Sequence, residues 1–137
     1  MMDTSIEYIK MCEKAEEIQK LWKPTVADFH TSYDWKEVHT VEFDYDSSEI
    51  DILGCPPHIW LPRQDQLQEM LIDKIGGNHI ALLSVLIRSD LFCQAGLGHY
   101  VSSPNYNYTN SMEQLWLVFV MKEKYNKIWN GEDWVKK

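Results

Sequence analysis

The chain has 137 residues, 45% of them apolar, with five prolines, six glycines and a formal net charge of −8. That length suits one domain with one core, and the sparse proline and glycine argue against disorder or low complexity. The longest strongly apolar stretch, residues 80–87, falls far short of the roughly 20 residues of a membrane span.

The N-terminus reads MMDTSIEYIKMCEKAEE, polar and charged, so no secretory leader is expected. Cys12, Cys55 and Cys93 are odd in number and widely spaced. They suit reduced thiols in a cytoplasm better than a disulfide framework. The charge is lopsided. Residues 25–60 hold eight acidic side chains (Asp28, Asp34, Glu37, Glu42, Asp44, Asp46, Glu49 and Asp51) against one basic one, Lys36, a net of −7. Such a field repels nucleic acid and attracts cationic partners. The plainer reading is a solvated face that aids solubility.

Thr4-x-x-Glu7 forms a capping box. Ile9, Cys12, Ala15, Ile18 and Trp22 follow at spacings of three and four. The pattern predicts an amphipathic helix over 4–22, ended by Pro24. The period then becomes two. Val41, Phe43 and Tyr45 alternate with Thr40, Glu42 and Asp44, as in a half-buried strand. Asp28-Phe29-His30-Thr31 is its expected partner, in a hairpin with the acids on the outer face.

Cys55-Pro56-Pro57 breaks the chain, and His58-Ile59-Trp60-Leu61 is a candidate third strand. Pro62 suits the first turn of a helix whose stripe is Leu67, Met70, Leu71 and Ile75, with Gly76-Gly77 as its stop. Asn78 is a candidate cap for a helix carrying Ile80, Leu82, Leu83, Leu86, Ile87, Leu91 and Phe92 over nearly its whole surface. A helix so apolar is expected at the buried centre. Residues 95–110 read as a long irregular loop. Ser111-x-x-Gln114 is a second capping box. It opens a final helix presenting Leu115, Val118, Phe119, Lys122, Tyr125 and Trp129, with Gly131 at a left-handed C-terminal position.

Catalytic motifs are missing from the sequence. Nucleophilic catalysis needs a serine or cysteine beside a histidine and an orienting acid, and the five histidines are isolated in sequence. Cys55-x-x-His58 is half of a metal site. His30 and His39 would have to complete it, but no second short-spaced pair exists, and structural zinc usually needs two; no metal is expected. Asp44-x-Asp46-x-Ser48 starts like a calcium loop, but Glu49 stands where glycine is needed and Cys55 where glutamate is needed. Gly76-Gly77-Asn78 resembles an anion-binding turn without the lysine of a phosphate loop.

Three blocks carry a resemblance: YIKMCEKAEEIQKLWKPTVADF, WLPRQDQLQEML and SMEQLWLVFVMKEKYNKIWNGEDWV. They resemble small uncharacterised phage and prophage proteins of Firmicutes. That resemblance implies a phage accessory protein in the cytoplasm of an infected bacterium, and it carries over no catalytic residues. Many such proteins counter host defence by occupying a host protein or sequestering a nucleotide signal, an analogy rather than a derivation.

The expected fold is a single α+β domain over 1–137, about four helices packed with a small antiparallel β-sheet. The expected function is non-catalytic binding, with no cofactor, membrane or direct nucleic-acid contact. Two surfaces compete. A small nucleotide-like ligand would use Trp60, Arg63 and Gln64 with Tyr100, Asn105, Tyr106 and Tyr108. Trp60 or Tyr106 would stack on a base, and Arg63 would meet a phosphate. A basic host protein would instead dock on Glu42, Asp44 and Asp46. Arg63 and Arg88 are the only arginines, which counts against the nucleotide. The alternatives are a structural or regulatory phage protein that forms homo-oligomers, and an enzyme whose site is assembled from distant residues.

Overall fold

The computed structural model describes residues 2–32, 37–42, 58–88 and 111–136. Mixed helices and antiparallel strands make it an α+β protein. Its contacts divide the chain into two compact units, Met1–Arg63 and Gln64–Lys137.

The first unit begins with helix α1, Ile6–Lys14. Its N-cap is Ser5, whose hydroxyl accepts from the Tyr8 amide at 3.2 Å. The cap is therefore one residue later than the Thr4 box predicts. Ile9, Cys12, Ala15 and Ile18 are buried as their spacing requires, but the helix is not continuous. Ala15 leaves helical geometry (φ −85°, ψ 66°), and one further turn, α2, covers Glu16–Gln19.

Gln19 makes use of this break. Its Nε2 donates to the Cys12 carbonyl and to the Trp60 carbonyl, each at 3.0 Å, and its Oε1 accepts from the Trp60 amide at 2.9 Å. The side-chain amide thus pairs with the next strand region as a neighbouring strand would.

Three strands follow: β1, Phe29–Ser32; β2, Val38–Thr40; and β3, His58–Leu61. β1 is central, antiparallel to both. The hairpin partner over 28–31 and the third strand over 58–61 were both legible. The second strand was expected from Thr40 to Tyr45; among the described residues the ladder covers 38–40. Val41 is buried and bonds outside it, donating to the Asp28 carbonyl and accepting from the Ala27 amide, both at 2.9 Å. Phe43, Asp44, Tyr45 and Asp46 lie outside the described residues. Helix α1 packs against β3, and the Tyr8 hydroxyl donates to the Pro62 carbonyl at 2.6 Å.

The second unit holds α3, Gln64–Ile75, α4, His79–Arg88, and α5, Met112–Tyr125. Gly76, at φ +70°, takes the left-handed position that ends α3. Gly77 is needed for space, because a Cβ there would sit 2.7 Å from that of Ala81. Asn78 caps α4 as predicted, its Oδ1 accepting from the Ile80 and Ala81 amides at 3.1 and 3.0 Å.

Two expectations fail here. α4 is not covered over nearly its whole surface: among its described side chains Leu82 is buried, but Ile80 is 76% exposed and Leu83 45%. α5 has residues 114–117 and 119–121 all buried, and α3 packs along it. α5 is also shorter than predicted. Asn126, left-handed at φ 55°, ends it. The chain then forms a hairpin of β4, Lys127–Trp129, and β5, Trp134–Lys136. Trp129 is therefore a strand residue facing Trp134, with ring centroids 5.1 Å apart. Gly131, at φ +101°, serves the hairpin turn, where Asn130 Oδ1 accepts from the Glu132 and Asp133 amides.

Candidate functional site

Strand register assembles a cluster that the linear spacing hides. His30 lies opposite His39 on β2 and opposite Trp60 on β3, with His58 two residues from Trp60. Cross-strand partners and every second residue share a face, so all four project to one side of the first unit's sheet. The His30 ring lies 5.1 Å from His58 and 5.9 Å from His39 between centroids. Trp22 joins them, 5.8 Å from His30 and stacked on Trp60 at 6.3 Å with planes 5° apart.

His30 is 8% exposed. Nδ1 of His30, Nδ1 of His58 and Nε1 of Trp60 are buried without a hydrogen-bond partner among the described residues. Burial holds the His30 pKa below its ordinary value, and the imidazoles of His58 and His39 push the same way against the opposing pull of Asp28. The ring is therefore neutral near pH 7 and offers a nitrogen lone pair. His39 is at the rim, 53% exposed, with Nε2 3.6 Å from the exposed Glu37 carboxylate.

Trp22 ties the cluster to a buried carboxylate. Asp28, 1% exposed, accepts from the Trp22 indole at 3.0 Å and the Thr25 amide at 3.1 Å, and pairs with Arg63 at 3.3 Å. Arg63 also donates to the Ala27 carbonyl at 3.1 Å. Asp28 is thus not part of an outer acidic face, as its place in the acidic segment suggested.

The predicted ligand residues are placed as follows. Trp60 is 5% exposed with its ring stacked on Trp22, so it does not offer the free stacking face expected. The Arg63 guanidinium is engaged by Asp28 and Ala27, so it is not the free phosphate-binding cation expected. Gln64 is half-buried at the start of α3. Glu42 is exposed. Asp44, Asp46, Cys55, Tyr100, Asn105, Tyr106 and Tyr108 lie outside the described residues. Linear spacing did not single out Trp22, and it mentioned His30 and His39 only to set them aside. Pairing the predicted strands residue by residue would have found the two histidines.

A second feature lies on α4 in the other unit. Ile80 and Leu83 are three residues apart, so they neighbour each other on one helix face, and both are open to solvent. Single exposed aliphatics are ordinary, but grouped ones mark interaction surfaces.

The cluster can bind or exchange protons, and among the described residues no serine or cysteine is shown in contact with it. Cys12 is fully buried, and burial pushes its thiol pKa far above the ordinary value, so it stays an unreactive thiol. Among the described residues, no three His, Cys, Asp or Glu side chains converge as metal ligands, and no helix is long and apolar enough to cross a membrane. No protein-family model, curated protein or solved structure matches the chain.

Proposed function

We propose that this protein is a phage accessory protein that works by binding a host protein, blocking a defence function rather than catalysing a reaction. The observation that carries this reading is the open aliphatic face of α4, Ile80 with Leu83. An apolar face costs free energy in water at about 25 cal/mol per Å². A partner surface removes that cost. The internal use of Trp60 and Arg63 weighs against the small-ligand reading. The acidic 25–60 segment favours a partner of net positive charge, since long-range charge complementarity speeds encounter more than it tightens the complex.

Self-association through the same face is the second reading, favoured by the same exposed residues. A phage-protection assay tests the proposal. Ile80→Glu/Leu83→Glu should fold normally, because exposed substitutions usually change stability by no more than about 0.5 kcal/mol. It should lose protection against the host's defence. Undiminished protection by the folded double variant would remove α4 from the account.

A further inference from the structure

We propose that His30, His58 and His39 form a binding site for one divalent transition-metal ion of the zinc class on the face of the β2-β1-β3 sheet. This site belongs to the Met1–Arg63 unit and does not rest on the protein-binding reading of α4.

The argument begins with geometry. Imidazole is a preferred ligand of zinc, nickel and copper, and three histidines with an open fourth position are an established zinc arrangement. With metal–nitrogen distances of about 2.0–2.1 Å, two rings on one tetrahedral ion have centroids about 5 Å apart. His30 and His58 stand at 5.1 Å. His39, in direct register with His30, is wider at 5.9 Å.

As placed, the three rings do not meet at one point. Rotation of the His39 ring supplies the third ligand. That side chain is 53% exposed and gives up only a 3.6 Å approach to an exposed glutamate, a contact of little worth in water.

The second observation is the pair of orphaned nitrogens. His30 is more than nine-tenths buried, and its Nδ1, like that of His58, has no partner among the described residues. Buried polar atoms are normally satisfied, and an exception calls for an explanation such as an ion. A purely packed histidine would be expected to bond its ring nitrogen to a neighbouring carbonyl or hydroxyl. The rule that structural zinc takes two short-spaced pairs does not bear on this site, because its ligands come from strand register.

The test is calorimetric titration of zinc ion into the purified full-length chain without an affinity tag, with melting curves run alongside. We expect one zinc per chain and a raised melting midpoint. His58→Gln and His39→Ala should each weaken binding by ~10-fold or more, the scale seen when support around a metal is lost. His79→Ala, on the exposed start of α4, should leave binding unchanged. If His58→Gln fails to fold, the exposed His39→Ala decides. Absence of saturable zinc binding overturns the proposal, as does binding that His39→Ala leaves at the parent affinity.

Discussion

Asp28 shows how one side chain sets the local structure. A carboxylate that is 1% exposed is tolerated here because partners such as an indole, a backbone amide and a guanidinium reach it at 3.0–3.3 Å. Asp28→Asn removes the charge and leaves Arg63 against a neutral group. Breaking a fully buried pair costs about 3–5 kcal/mol. Arg63 keeps a third of its surface in water, so the smaller loss of about 2 kcal/mol is expected. Urea denaturation measures it, and a midpoint equal to the parent's would show that the carboxylate is not structural.

His30 gives a pH dependence of definite sign. Its pKa is lowered in the folded chain, so the unfolded chain binds the proton more readily. Stability therefore rises with pH across the window where the two states differ. It should be full above about pH 6.5, the ordinary histidine value. It should fall as the pH drops through that value toward the lowered folded one. His30→Gln should flatten this slope, and a melting midpoint independent of pH between 7 and 5 in the parent would contradict the assignment. None of this was readable from spacing, because residues 30, 39 and 58 meet through the ladder of β1 with β2 and β3.

At the scale of elements, legibility followed the range of the signal. Asn78 and Ser111 were predicted as caps and act as caps, because capping is settled within a few residues. The strand at 58–61 and the stop at Gly76 were legible for the same reason. The N-terminal cap was misplaced by one residue, since Thr4 and Ser5 offer the same hydroxyl. Ser5→Ala should cost about 1 kcal/mol and Thr4→Ala almost nothing. Equal melting midpoints for the two variants would sink that distinction.

The break at Ala15 and the end of α5 at Asn126 were missed because tertiary partners decide them. Gln19 docks across 41 residues onto Trp60, and Trp129 faces Trp134 in a hairpin. Asn tolerates the left-handed conformation, so Asn126 could end a helix without the glycine that the pattern search sought. The apolar count misjudged α4 against α5 because two apolar helices competed for one centre, and hydropathy alone does not say which is covered.

At the scale of the whole molecule, the α+β class was legible from the change of hydrophobic period along the chain, and the structure has it. The candidate site was legible only in part. Trp60 and Arg63 were expected to hold a ligand; Trp60 is stacked on Trp22 and Arg63 is engaged by Asp28. The histidine face needed the strand register, and the exposed α4 stripe contradicted its own hydropathy. The charge excess over 25–60 remains an argument about encounter, screened beyond about 8 Å at physiological salt. The contact itself is proposed to lie on Ile80 and Leu83.

The central claim is that the protein works by holding a host protein on α4. Native mass spectrometry of the chain recovered from phage-infected cells, parent and Ile80→Glu/Leu83→Glu side by side, tests it most directly. The parent should carry the mass of one host protein, and the double variant, melting as the parent does, should not. The account is contradicted if both carry the same small ligand, or if the parent carries only further copies of itself.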